Sequence, residues 1–199
     1  TPSEDLRPIG FSEQTTDADA DYAFDPEAEN LGDLKPLGVK AGTIAERVVN
    51  IARRTLNLDK PTSVLSVREL LRMDNFEDAF SDPRVAAYVK DVAEQLVADP
   101  QGGGRYIGFG DAHIILVDES AGKNDLDTAM IVAHELGHAL FKEQLSSTLK
   151  NPALYNRLFD EFQKSRDAAN APAAYKGKHG FEEWYADQTA NWAIAEYAK

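Results

Sequence analysis

The sequence predicts an α+β fold in which a small twisted sheet packs on a buried helix and a C-terminal helix closes the core. Three observations carry that expectation. Residues 124–141 are apolar on nearly every side at helical spacing, as in a helix without a solvent face. Two β-rich runs, 105–109 and 112–118, meet at Gly110-Asp111, the pattern of a hairpin leading straight into that helix. Amphipathic stretches of helical period occupy much of the remaining chain, without an internal repeat.

Composition bounds the rest. The 199 residues, 43% of them hydrophobic, suffice for one domain. The chain divides into an acidic, irregular segment over residues 1–40 and a single domain over residues 41–199, helical over 41–100 and with its functional core over 101–199. The net charge of -13 argues against a nucleic-acid partner. Ten acids and one base fall in residues 1–34, so that segment holds -9 of the charge and residues 35–199 only -4. It is expected to drape over the body and obstruct the cleft. Asp17, Asp19 and Asp21 alternate within it, but without the glycine and distal glutamate of a calcium loop they read as a solvated acidic run. There is no cysteine, which leaves no thiolate ligand and no disulfide framework. No apolar run is long enough to span a membrane and no signal-peptide pattern is present, so no membrane partner is expected. The sequence assigns neither compartment nor oligomeric state. The chain opens on Thr1-Pro2 and not on Met, as a processed or excised piece does.

In chain order, Thr43–Leu56 reads as an amphipathic helix with Ile44, Val48, Ile51, Ala52 and Thr55 or Leu56 inward. The β-branched run Thr62–Val67 follows Pro61 and reads as a short strand, and Ser66 with Glu69 makes a capping box for a helix over Val67–Met73. Asp82-Pro83 opens the next helix, with Val85, Tyr88 or Val89, Val92, Leu96 and Val97 on one stripe, which ends before Pro100. Gln101-Gly102-Gly103-Gly104 is a loop before the hairpin. The second hairpin strand is expected to wall the cleft and offer a free edge to an extended peptide, with His113 in a structural role. A loop over Leu145–Asn151 precedes a helix from Pro152 to about Ala168, with Leu154, Leu158, Phe159 and Phe162 inward. Asn170–Gly180 reads as a loop and Phe181–Tyr197 as the last helix.

The buried helix contains His134-Glu135-Leu136-Gly137-His138, an H-E-x-x-H. Residues four apart on a helix are about 40° apart around its axis, so the two imidazoles share one face and can hold one metal ion. Glu135 projects about 100° from His134, beside the ion and not on it, where a carboxylate can handle a metal-bound water. The alternative is a pair of core histidines bonded to other side chains, because polar groups buried without partners are costly. Asn124 or Asp125 is the expected N-cap, and Asp125 and Asp127 complement the positive helix end.

A zinc site normally takes three protein ligands and a water. The last helix supplies Glu183 and Asp187, four apart on one face, with Ala186, Ala190 and Ile194 flanking that face and Gly137 opposite to permit close approach. Glu183 is therefore the expected third ligand, and Asp187 the acceptor that fixes the tautomer of a ligand histidine. Glu182 is expected to point away. The alternative is two exposed acids favoured by the dipole of a helix start.

These paired motifs, His134-Glu135-x-x-His138 and Glu183-x-x-x-Asp187, resemble those of the gluzincins, zinc metallopeptidases with H-E-x-x-H on one helix and a glutamate on a later one. The run Glu182-Glu183-Trp184-Tyr185-Ala186-Asp187 is more similar to lethal-factor-type toxins and small bacterial stress-response metallopeptidases than to thermolysin-like enzymes. The resemblance spans Arg105 to Tyr197. It implies a zincin-like fold, Zn²⁺ as cofactor and hydrolysis of a protein or peptide substrate, with Glu135 as general base and proton donor to the leaving amine. It also implies a Tyr or His donor to the oxyanion. Of the candidates, Tyr185 lies two residues past Glu183 and turns into the core, and His179 has no evident orienting partner. Tyr175, eight residues before Glu183, is placed as lethal-factor-type toxins place theirs, and is the expected donor. A bacterial or phage source is an expectation of the same kind. Two other readings stay open: a zincin-like binding or structural module of a larger phage or toxin polypeptide without peptidase activity, and a metal-free interaction domain.

Overall fold

The computed structural model describes residues 24–33, 44–99, 103–145, 151–165 and 177–197, with side chains for all of these except residues 44, 45, 178 and 179. The acidic run of Asp17, Asp19 and Asp21 lies outside the described residues. Those residues form a mixed α+β structure, with six α-helices and one three-stranded sheet among them.

Helix α1 spans Ile44–Leu56 and buries Val48, Val49 and Ala52. It ends at Asn57, which takes the left-handed φ of 51° that asparagine tolerates better than most residues. Gln144 donates from Nε2 to the orphan carbonyl of Leu56 at 2.7 Å. Strand β1, Thr62–Ser66, runs directly into the short helix α2, Val67–Leu70, where Ser66 Oγ accepts from the Glu69 N–H at 3.3 Å. This helix stops short of the expected Met73 because its last carbonyls are taken by tighter i→i+3 bonds from Arg72 and Met73. Helix α3, Pro83–Ala98, starts as its Asp-Pro signal requires: the Asp82 carboxylate accepts from the Arg84 N–H at 2.8 Å. It buries Val85, Ala86, Val89, Ala93 and Leu96, whereas Val97 is exposed.

Strands β2, Gly104–Gly108, and β3, His113–Val117, form the expected hairpin, with Gly108 opposite His113 and the Phe109 N–H bonded to the Ala112 carbonyl at 2.8 Å. One expectation is corrected here. Strand β3 has no free edge, because β1 pairs with it in parallel from Thr62↔His113 to Ser66↔Val117, giving the order β1-β3-β2. Local pattern could not show this, since the parallel pair joins strands separated by α2, α3 and β2. The consequence is that all five residues of β3 are buried, the continuous apolar run of a strand covered on both faces. One face packs Leu65, Ile107, Ile114 and Leu116 against α3 residues; the other packs Val64, Ile115 and Val117 against Val132, Leu136 and Leu140 of the next helix.

That helix is α4, Asp125–Gln144, capped by Asn124, whose Oδ1 accepts from the Leu126 and Asp127 N–H groups, both at 2.9 Å. Helix α5, Pro152–Lys164, contributes Phe162 to an aromatic cluster with Phe141 and Phe181. The final helix, α6, spans Lys178–Tyr197, three residues longer at its start than expected. Helix α4 packs chiefly on α6, and also on α1 and the sheet. No helix among the described residues is long and apolar enough to cross a membrane.

Of the acidic segment, residues 24–33 are described and pack at the β2–β3 turn; the rest of it, and with it the expected obstruction of the cleft, lies outside the described residues. Leu31 is buried in the core with Phe24 packed nearby, and Glu29 accepts the Gly110 N–H at 2.8 Å. Both Asp111 carboxylate oxygens hold this strap, accepting the Leu31 N–H at 2.7 Å and the Gly32 N–H at 3.0 Å. An ion pair from Glu27 to Lys142 ties it to α4. A buried donor left unpaired costs about 1–3 kcal/mol, a penalty that falls on the part-buried Leu31 N–H more than on the exposed Gly32 N–H. Asp111→Ala is therefore expected to lower the melting temperature and raise hydrogen exchange at Leu31 and Gly32. Unchanged exchange there would show that Leu31 burial alone holds the strap.

Candidate metal centre

The site lies in the seam between α4 and α6. Its first requirement is close backbone approach. A Cβ at Gly137 would overlap the Ala186 Cα, so only glycine lets the helices meet here. The helices run antiparallel, which pairs later residues of α4 with earlier ones of α6: His138 meets Glu182, and His134 meets Asp187.

Three side chains converge. His134 Nε2 and His138 Nε2 are 3.2 Å apart, and Glu183 places Oε2 3.5 Å from the first and Oε1 3.5 Å from the second. A tetrahedron's edge is about 1.63 times its centre-to-vertex distance, so ligand atoms about 2.0–2.1 Å from a zinc ion sit about 3.3–3.4 Å from one another. The imidazole pair at 3.2 Å fits that edge, and the Glu183 carboxylate presents a different oxygen to each imidazole at 3.5 Å. The group His134, His138 and Glu183 can thus hold a metal ion.

The outer partners decide which atoms face inward. His134 Nδ1 lies 2.9 Å from Asp187 Oδ1, and His138 Nδ1 lies 3.1 Å from Glu182 Oε1. A carboxylate can only accept, so each neutral imidazole carries its proton on Nδ1 and turns the Nε2 lone pair to the centre. The centre is then lined with acceptors. Glu183 is 8% exposed, and its Oε1 is fully buried without a hydrogen-bond partner. Such a set is poorly served by other neutral side chains and well served by a cation. The same field acts on protons. Burial opposes the charged form of His134, but Asp187, Glu183 and Glu135 overcome it and raise its pKa to about 10. His138 is raised too, burial being outweighed by Glu182, Glu135 and Glu183.

Glu135 stands beside this group, 7% exposed. Burial pushes its carboxyl pKa up, while His138 and His134 pull it down. It fits only because β2 carries glycine opposite: a Cβ at Gly104 would come 2.8 Å from Glu135 Cγ and 3.0 Å from Oε1. Of the two acids that the alternative reading left exposed at a helix start, Glu183 is buried on the second turn of α6, whereas the Asp187 side chain is 66% exposed.

Of the residues singled out from sequence, His134, Glu135, His138, Glu183 and Asp187 are brought together. Tyr185 turns into the core, edge-on to Phe141 at 5.8 Å. Tyr175 lies outside the described residues, as does the His179 side chain. The expectation for Glu182 is corrected: it does not point away but accepts from His138. Spacing along α6 gave no signal for this, because the partner of Glu182 is set by how α6 crosses α4. His113 is structural as expected, buried between Glu143 and Tyr106. Tyr106, whose ring stacks on His138 at 6.4 Å with an interplanar angle of 21°, carried no sequence signal.

Compared with protein-family models, with curated proteins and with solved structures, the chain finds no match.

Two outcomes follow for a metal titration. Glu183→Ala is expected to abolish tight zinc binding, whereas Glu182→Ala and Asp187→Ala each weaken it about 10–100-fold by freeing one imidazole. Equal losses in all three variants would contradict the division of roles. Zinc must also displace protons held by the raised histidines, so its apparent affinity should climb with pH up to the His134 value of about 10. Each proton displaced adds up to about tenfold per pH unit. Competition with a chelator between neutral pH and pH 9 checks this, and a flat profile would mean that the imidazoles are not ligands.

Proposed function

We propose that the protein is a zinc-dependent endopeptidase of zincin-like design. One observation supports this above the others: two Nε2 atoms 3.2 Å apart face a buried Glu183 carboxylate whose Oε1 has no hydrogen-bond partner, with Glu135 alongside. The donor set, two imidazoles and a carboxylate, suits Zn²⁺ over the hard oxygen-seeking cations. It also fits the gluzincin resemblance of the two motifs.

A zinc ion held by His134, His138 and Glu183 supplies Lewis-acid activation of a water and of the scissile carbonyl. The chain's own residues do the rest. Asp187 and Glu182 keep the imidazoles oriented and hold their Nδ1 protons. Glu135, desolvated and uncoordinated, takes a proton from the attacking water and delivers it to the departing nitrogen. Strand β2 is unpaired on its outer side among the described residues and passes Glu135 at Gly104, where an extended peptide can add as a strand. Tyr175 as oxyanion donor rests on the resemblance alone.

The alternative, a zincin-like module without peptidase activity, is disfavoured by the intact Glu135. Purified protein is expected to carry one zinc per chain and to cleave denatured protein, and Glu135→Gln to keep its zinc while turnover drops about 10²–10⁴-fold. Zinc binding without cleavage would favour the binding module, and absence of zinc uptake would end the metal reading.

A further inference from the structure

Outside the metal group, the described residues hold one other buried cluster of titratable side chains, and it leads back to a ligand. It begins at the loop before β1, where the Asp59 N–H donates to Glu143 Oε2 at 2.8 Å and the Lys60 N–H donates to Oε1 at 2.9 Å. Glu143, on the last turn of α4, accepts in turn from His113 Nε2 at 2.8 Å. A carboxylate acceptor fixes the proton on Nε2, so His113 Nδ1 is an acceptor and takes the Tyr106 hydroxyl proton at 3.1 Å. Burial of His113, which lowers its pKa, keeps this neutral tautomer. The Tyr106 ring crosses Gly108, where any Cβ would overlap its hydroxyl, and stacks on the His138 ring.

Every polar atom in the chain of contacts has a defined direction, as buried polar groups require, and the chain ends on an aromatic ring beside a histidine of the metal group. A nucleophilic triad is ruled out by the phenol, whose pKa burial raises far above the physiological range. What remains is orientation. Glu182 holds His138 at Nδ1, and the tethered Tyr106 ring, near-parallel to the imidazole at 6.4 Å between centroids, limits its orientation from a second side. We infer that Tyr106, anchored through His113 to Glu143, is a positioning residue that aims His138 Nε2 at the metal centre. The inference rests on the metal reading above and extends it to residues that touch neither metal nor substrate.

The test is a double-mutant cycle read by zinc affinity in chelator competition and by the visible spectrum of the cobalt-loaded protein, both independent of turnover. Tyr106→Phe keeps the ring and cuts the tether; Glu143→Gln alters the far end without touching His138. Each is expected to weaken zinc several-fold and to shift the cobalt bands, a smaller loss than the about 10–100-fold typical of removing a direct hydrogen-bond partner of a ligand. Because both act through one hydroxyl, Glu143→Gln should add little in the Tyr106→Phe background. Lowered melting temperatures with unchanged zinc affinity and spectrum would reduce the cluster to packing and overturn the inference. Strictly additive losses would overturn it as well. Failure of the wild-type protein to bind zinc is a separate outcome, which sinks the metal reading itself.

Discussion

The molecule depends on a single electrostatic conflict: four carboxylates, Glu135, Glu182, Glu183 and Asp187, gather around two imidazoles in one helical seam. Two of the four, Glu135 and Glu183, are buried, and buried charges of one sign are among the costliest arrangements a fold can contain. The conflict is resolved by positive charge, either protons on His134 and His138 or a cation at their facing Nε2 atoms. Both resolutions draw on the same lone pairs. Affinity for metal and affinity for protons are therefore two readings of one field.

That field can exist only because the surrounding packing leaves the polar groups nowhere else to go. Helix α4 is enclosed by the sheet on one side and by α1 and α6 on others. Its turns before and after the histidines supply Val132, Ala133, Leu136, Ala139, Leu140 and Phe141, all buried. Three apolar clusters meet along it, so the site rides on the most enclosed element of the fold and not on a loop. Ligands on rigid helices hold their geometry more closely than ligands on loops. Two glycines set the clearances: Gly137 for the approach of α6, and Gly104 for the Glu135 side chain.

The sheet contributes more than a floor. Placing β3 between β1 and β2 buries His113 in the centre and leaves β2 as the edge strand nearest the metal group. From that edge, Tyr106 reaches His138 on one side and His113 on the other. His138 of α4 is thus met from two sides, by Glu182 of α6 and by Tyr106, whose hydroxyl continues through His113 to Glu143.

Much of this was legible in the sequence, for a definable reason. Periodicity is local, so the helical span around H-E-x-x-H, the shared face of His134 and His138, the hairpin, the Asn124 and Asp82 caps and the small-residue face of α6 could be read from spacing alone. The choice of Glu183 as the residue that joins the two histidines followed from the same local geometry. What spacing could not supply was the pairing of distant elements. The parallel match of β1 to β3, the partnership of Glu182 with His138 and the stacking of Tyr106 each depend on how separate elements lie against one another. A helix assigns side chains to directions about its own axis; only the crossing of a second helix, and the strand order of the sheet, decides which of those directions meets a partner.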